Sequence, residues 1–254
     1  MNHKDDVINQ FSKNANEYVT SETHAKGDDL PLMVKWLGLN KEQVILDIAT
    51  GGGHVAKALA PHVKQVVATD LTQAMLQNTA IHLQDYENIF YVRADAEDLP
   101  FVQQQFDIVT CRIAPHHFPN PLQFVKEVAR VLKKEGTFIL IDNVVPEDED
   151  LGTFMNTFEK LRDHSHNECL SVTGWEQLLS QVGFRIEKIQ NRKKTFDFPV
   201  WLNRTTETEE ERRAVIDFIR SSEKKYQDYF QVRYNDHQIK SLTIDEAMML
   251  CTKT

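Results

Sequence analysis

The sequence predicts an α/β protein: a doubly wound, seven-stranded, mostly parallel sheet with an antiparallel last strand and helices on both faces. Three observations lead there. Short apolar runs alternate with helical patterns from residue 28 to about 143, which is how successive βαβ units read. The stretch Asp47-Ile48-Ala49-Thr50-Gly51-Gly52-Gly53 follows the apolar run 43–46, so one strand ends in a carboxylate and turns through three glycines into a helix. Two further runs, 184–189 and 247–252, lie beyond the alternating part and supply the last strands.

Taken in order, the first five strands are 43–48 (QVILDI), 65–70 (QVVATD), 88–93 (NIFYVR), 106–111 (FDIVTC) and 137–142 (TFILID), each rich in β-branched or aromatic residues. Between them, a helix opens near Gly53 and closes at Pro61. Thr72 can cap a helix bearing Ala74, Met75 and Leu83, and Asn120-Pro121 offers a cap and first-turn proline ahead of Phe124, Val125, Val128 and Leu132. After the acidic loop PEDED, Leu151, Phe154, Met155, Phe158 and Leu161 make one apolar stripe on a helix near 150–163. Thr173 and Glu176 form a capping-box pattern on a helix that Gly183 can end, and Thr206 with Glu209 repeats the pattern before Ala214, Val215, Phe218 and Ile219. FRIEKI at 184–189 is the sixth strand and AMMLCT at 247–252 the antiparallel last one.

A chain of 254 residues suits one domain. Its 38 acidic against 29 basic residues argue against a broad electrostatic grip on nucleic acid, and Arg192-Lys193-Lys194 reads as a solvated strand end. No run approaches the ~18 apolar residues of a membrane span, and the opening MNHKDDVINQF lacks the basic-then-apolar order of a secretion signal. A cytoplasmic protein without integral membrane association is expected. Cys111, Cys169 and Cys251 are odd in number and lack a CxxC pair, which points to reduced thiols and no metal.

The glycine turn has two readings. Gly51-x-Gly53-x-x-Ala56 matches the dinucleotide pattern, with Asp70 about 20 residues on where a ribose-binding carboxylate sits, and so fits an NAD-dependent oxidoreductase. Two features favour another ligand. Asp47, just before the glycines, repels a pyrophosphate and attracts an ammonium or sulfonium. The next strand ends in its own acidic cluster, Asp95-Ala96-Glu97-Asp98, beside the same crevice. Three strands thus deliver carboxylates to one cleft, which suits a ligand with an ammonium, a ribose diol and an adenine amino group.

The ordered set VILDIATGGGH, VVATDLTQAML, ADAEDLPF, FDIVTCRIAPHHF and EVARVLKKEGTFILID, spanning about 44–142, resembles the class I S-adenosylmethionine-dependent methyltransferases. These Rossmann-like enzymes include the ubiquinone and menaquinone biosynthesis methyltransferases. The resemblance implies that Asp47, Ala49, Thr50, Gly51 and Gly53 surround the methionine part of S-adenosylmethionine, with Asp47 acting on its ammonium. It also implies that Asp70 takes the ribose hydroxyls, that Leu71 and Met75 lie against the adenosine, and that Asp95, Ala96 and Glu97 serve the adenine. Arg112 falls where the family's backbone meets the methionine part. Two positions depart from the pattern: the first turn glycine is Ala49, and the KPGG turn reads Lys133-Lys134-Glu135-Gly136. Residues 11–30 resemble the N-terminal lid of one bacterial subgroup, in which Tyr18, His24 and Gly27 would close over the cofactor. LRDHSH at 161–166 and Trp201-x-x-Arg204 resemble its substrate region. One domain over 1–254 follows, with a lid at 1–30, a cofactor-binding core at 40–143 and substrate-side elements at 144–254.

Methyl transfer needs alignment, exclusion of water and, for some acceptors, a base near neutrality. Histidine has the suitable pKa. His166 and His117 are the candidate bases, with Asp163 placed to orient an imidazole; His116, His164 and His24 are further histidines within reach of the cleft. The pair His164 and His166 is not read as a metal site, because a helical frame puts the two on different faces. The expected acceptor is a small hydrophobic or aromatic metabolite. A non-catalytic S-adenosylmethionine-binding protein is the alternative from another class.

Overall fold

The structure, a computed structural model, describes residues 3–13 and 29–254. Helices α1 (His3–Lys13) and α2 (Asp29–Leu37) lead into β1 (Val44–Ile48), α3 (His54–Leu59) and, after a 3-10 turn at Ala60–His62, β2 (Gln65–Asp70). Then come α4 (Gln73–His82), β3 (Ile89–Arg93), β4 (Phe106–Arg112), α5 (Pro121–Val131) and β5 (Leu132–Val144). The rest comprises α6 (Glu149–Arg162), α7 (Val172–Gln181), β6 (Phe184–Asp197), α8 (Phe198–Asn203), α9 (Glu209–Arg220), α10 (Lys224–Tyr229), β7 (Arg233–Asn235) and β8 (Gln238–Lys253).

The strands lie in the order β3-β2-β1-β4-β5-β8-β6, with β7 paired to β8. β1 to β5 pair in parallel, and β8 enters antiparallel between β5 and β6. Every expected strand is present, and β7 is an addition to the seven. Its three residues are all exposed, so it carries no apolar signal. The chain reverses its direction of winding between β1 and β4, which opens a crevice at the C-terminal ends of these strands.

Helices cover both faces. On one, Phe124, Val125 and Val128 of α5 and Trp175 and Leu179 of α7 pack on Leu46, Val109, Phe138 and Leu140. On the other, Met33 of α2 and Val55, Ala56 and Leu59 of α3 pack on Ile45, Val66, Ile108 and Ile139. The apolar stripe of α6 belongs to a third cluster, in which Phe154, Met155 and Phe158 meet Trp201, Val215, Ile219 and Phe230. Among the described residues no helix is long and apolar enough to cross a membrane.

Strands β6 and β8 run well past the expected 184–189 and 247–252, pairing from Phe184↔Lys253 to Asp197↔Ser241. The outer part of β6 alternates exposed and half-buried side chains, and that of β8, though mostly buried, is broken by Lys240, Ser241, Thr243, Asp245 and Glu246, so neither shows the apolar run of a central strand. Arg192-Lys193-Lys194 is therefore mid-strand rather than a solvated end. Arg192 and Lys194 pair with Glu246 across the ladder, and Lys193 pairs with Asp245. Two caps also shift. Ser171, not Thr173, caps α7, because the Thr173 N–H donates to Glu147 at 3.0 Å. The capping box of α9 is Thr208 with Glu211, since Thr206 spends its hydroxyl on the Leu202 carbonyl at the end of α8.

Candidate active site

The glycine turn is built around Asp47, which is 1% exposed. The β1/β4 register sets Thr110 beside Asp47, and the Thr110 hydroxyl donates to its Oδ1 at 2.8 Å. The Thr50 hydroxyl donates to Oδ2 at 2.6 Å. Burial outweighs these bonds and pushes the carboxyl up to about 6. A cationic ligand group would favour its ionised form. Ala49 then turns the chain with φ +53°, a left-handed conformation in the place of the family's first glycine. Gly51 follows with φ +53°, and a Cβ built there meets nothing within 4 Å, so its backbone faces open space. Gly53 serves packing instead: a Cβ there would lie 2.5 Å from the Thr79 side chain on α4. The glycines thus divide between baring the backbone and seating α3 on α4.

At the end of β2, Asp70 accepts from Gly51 N–H at 3.1 Å and Thr72 N–H at 2.9 Å, locking the turn to the start of α4. Burial raises its pKa above the ordinary carboxylate range. Thr72 is the N-cap of α4 by position, but its side chain makes no cap bond. After β3, Asp95 accepts from Glu97 N–H at 2.9 Å, and Lys4 of α1 reaches both Asp95 (2.5 Å) and Glu97 (2.6 Å). Helix α1 therefore crosses this end of the cleft and carries Val7 and Phe11 into its wall. The cleft holds about 1060 Å³ and is lined by Asp47, Ala49, Thr50, Gly51, Asp70, Leu71, Met75, Asp95, Ala96, Glu97, Arg112 and His117. Arg112 lines it while Asp29 at the start of α2 holds the guanidinium at two points.

A second cavity, of about 500 Å³, adjoins the first; Phe11, Ile113 and His117 line both. Ile113 has φ +53°, a rare conformation for a β-branched residue, and its N–H donates to the Ile141 carbonyl at 2.7 Å. His117 Nδ1 donates to the Ser165 carbonyl at 2.8 Å. Burial, then the neighbouring His116, pulls its pKa down to about 3. Asp163 lines the second cavity and accepts from the Ser165 N–H (2.9 Å) and hydroxyl (2.5 Å), so it reaches His117 only through Ser165. His166 lines neither cavity. It is 1% exposed, bonded to the Asn156 carboxamide oxygen at 3.0 Å, and held neutral by burial and by His116 and His117.

The sequence reading passed over one pair. His116 Nδ1 lies 2.6 Å from Asp142 Oδ1, and the His116 N–H donates to Asp142 Oδ2 at 2.9 Å. Burial lowers the His116 pKa, but the charge of Asp142, supported by Glu159 and Asp163, outweighs it, and the net shift is upward. Asp142 is hidden in sequence as an apparent core position of a buried strand. Tyr18, His24 and Gly27 lie outside the described residues. Among the described residues no group of three or more His, Cys, Asp or Glu could hold a metal ion.

Residues 46–140 match the family model described as a methyltransferase domain. A Bacillus subtilis (strain 168) protein named as an uncharacterized methyltransferase, YcgJ, is 34% identical, the match covering 89% of this chain and 90% of that protein. Two crystal structures superpose closely. A Bacillus halodurans C-125 protein solved as a candidate methyltransferase has a TM-score of 0.87 at 40% identity, covering 89% of this chain and 99% of the other. The Bacillus subtilis YcgJ structure has a TM-score of 0.84 at 32% identity, covering 88% and 97%. With the open glycine turn and the carboxylates around one cleft, these matches make the chain a member of the S-adenosylmethionine-dependent methyltransferase family.

Proposed function

We propose that the larger cleft holds S-adenosylmethionine and that the protein transfers its methyl group to a small acceptor seated in the second cavity. The observation that carries this reading is the meeting of the two cavities at Phe11, Ile113 and His117, with Asp47 and the bared Gly51 backbone on the cofactor side. Asp47 would hold the ammonium, Asp70 the ribose, and Asp95 with Ala96 and Glu97 the adenine, while Leu71 and Met75 give the apolar contact. The cofactor supplies a methyl group already activated on a sulfonium. What remains for the chain is to exclude water and to aim the acceptor.

The second cavity does not favour the hydrophobic or aromatic acceptor that the sequence suggests. Trp201, Phe196 and Phe11 line part of it, but Asn143, Glu159, Arg162, Asp163, Lys194 and Arg204 make the rest polar and charged. A polar metabolite is the better match. His117, neutral and fixed through Ser165 by Asp163, would shape the wall between cofactor and acceptor. His166, bonded to Asn156 and lining neither cavity, would serve packing rather than proton transfer.

The test is calorimetry and turnover together. Asp70→Ala is expected to weaken S-adenosylhomocysteine binding by about 1–3 kcal/mol, through loss of a charge-assisted hydrogen bond and of the anchor on Gly51. The folded wild type should release S-adenosylhomocysteine from S-adenosylmethionine when a mixture of cell metabolites is added. Tight binding with no release from any such mixture would leave a binding protein rather than an enzyme.

A further inference from the structure

His116 is clamped twice by one carboxylate. Asp142, 1% exposed on β5, accepts from both the backbone N–H and the ring Nδ1. That fixes the neutral ring as the Nδ1–H tautomer and leaves the lone pair on Nε2. His116 lines the second cavity, and Nε2 has no hydrogen-bond partner among the described residues. Two more acceptors are stranded in the same wall. Asn143 Oδ1 and Glu159 Oε1 are buried and have no partner, although the other Glu159 oxygen takes two bonds from Arg162. A buried acceptor without a donor is destabilising, so two beside one cavity ask for donors brought by a ligand.

We propose that His116, positioned by Asp142, is the base that takes the proton from the methyl acceptor, and that the acceptor is a small hydroxy or amino compound whose further O–H or N–H groups meet Asn143 and Glu159. This rests on the methyl-transfer reading above. As the accepting oxygen or nitrogen bonds to the methyl carbon, its proton passes to Nε2. The carbon–sulfur bond breaks with its electron pair on sulfur, and the positive charge moves to the imidazole, which returns the proton to water. The groups facing His116 suit that charge: Asp142 from β5, and Glu159 and Asp163 from α6 and its end, oppose Arg162 of α6 and Lys194 of β6. His117 and His166, the neighbouring rings, are held neutral.

The test compares wild type with His116→Gln, Asp142→Asn and Asn143→Leu. Calorimetry with S-adenosylhomocysteine comes first; all four should bind within about twofold of one another, which shows intact folds and an intact cofactor cleft. Release of S-adenosylhomocysteine from S-adenosylmethionine is then followed with the water-soluble fraction of a cell extract and separately with its organic-solvent fraction. The expected result is release with the water-soluble fraction, slowed at least 100-fold in His116→Gln. Asp142→Asn should slow it and move the acidic limb of the pH profile down, and Asn143→Leu should demand more of the fraction for half-maximal rate. Nitrogen NMR of the S-adenosylhomocysteine-bound protein should find His116 as the Nδ1–H tautomer in wild type and as a mixture in Asp142→Asn, a readout that needs no acceptor. Unslowed release in His116→Gln, or an unmoved tautomer and pH limb in Asp142→Asn, overturns the assignment of the base while methyl transfer stands. Release with the organic fraction alone overturns the acceptor class. Cofactor binding with release from neither fraction overturns the methyl-transfer reading and this inference with it.

Discussion

At Ala49 the backbone holds φ +53°, where the Cβ crowds the following carbonyl. From sequence the alanine looks like one extra methyl group in the cofactor turn; its cost lies in the backbone instead. Ala49→Gly should therefore raise the stability of the ligand-free protein by about 1 kcal/mol, the relief of strain exceeding the entropy that glycine adds to the unfolded chain. Urea denaturation measures this, and a loss of stability would mean that the methyl group packs usefully. Asp47, next in the turn, makes binding depend on pH. Its folded-state pKa, about 6, lies above the ordinary 3.8, so between those values the folded protein holds the proton more tightly and ionisation costs stability as pH rises. A cationic ligand needs the ionised form. Affinity for S-adenosylhomocysteine should climb as pH rises towards 6 and level off above it, being about tenfold weaker at pH 5 than at pH 7. Asp70, also raised by burial, adds in the same sense, so Asp47→Asn should flatten the curve without abolishing it. Calorimetry at three pH values decides the matter.

Among elements, α2 is held to the sheet by a charge as well as by Met33. Asp29, 3% exposed at the helix start, pairs with Arg112 at the end of β4 and with Arg192 of β6. Burial raises its pKa, but the two guanidinium groups outweigh it and lower it to about 2. Asp29→Asn would strip Arg112 of its carboxylate and leave Arg192 with Glu246 alone, and should cost about 3 kcal/mol at pH 7. In wild type this contribution is present above pH 4 and lost as pH falls towards 2. A variant whose denaturation midpoint matches wild type would show that other carboxylates take over. Such pairs were not legible in sequence, because Asp29, Arg112 and Arg192 stand far apart and each reads as a surface charge. The parallel strands were legible, since burial on both faces demands the continuous β-branched runs at 44–48, 65–70 and 106–111. The caps were misplaced by two residues in opposite directions, Thr173 lying after the true cap Ser171 and Thr206 before Thr208; Thr206-x-x-Glu209 and Thr208-x-x-Glu211 have the same spacing and only the Leu202 carbonyl chooses between them. His116 with Asp142 escaped notice for a related reason: strand β5 reads as core, and nothing local says that one of its carboxylates meets a loop 26 residues earlier.

Across the whole molecule, the cleft and the third apolar cluster are built on different strands of one sheet. The cleft is framed by β1 to β4 and α1. The cluster of Phe154, Phe158, Trp201 and Phe230 rests on the outer part of β6 and β8 and reaches the second cavity through Trp201. On the proposed function this division would give cofactor binding to one part and acceptor recognition largely to the other. Phe230 probes it well, being 1% exposed, packed edge-on to Phe158 at 5.4 Å and lining neither cavity. Phe230→Ala should cost about 3–5 kcal/mol in urea denaturation, the combined loss of burial and opening of a void. Affinity for S-adenosylhomocysteine should stay within about twofold of wild type, because changes at separate sites with no shared partners are close to additive. Turnover of an acceptor should fall, since Phe158, which Phe230 holds edge-on, packs in turn on Trp201 in the wall of the second cavity. Loss of cofactor affinity in step with stability would mean that the third apolar cluster and the cleft form one cooperative unit, and that acceptor and cofactor recognition cannot be separated by mutation.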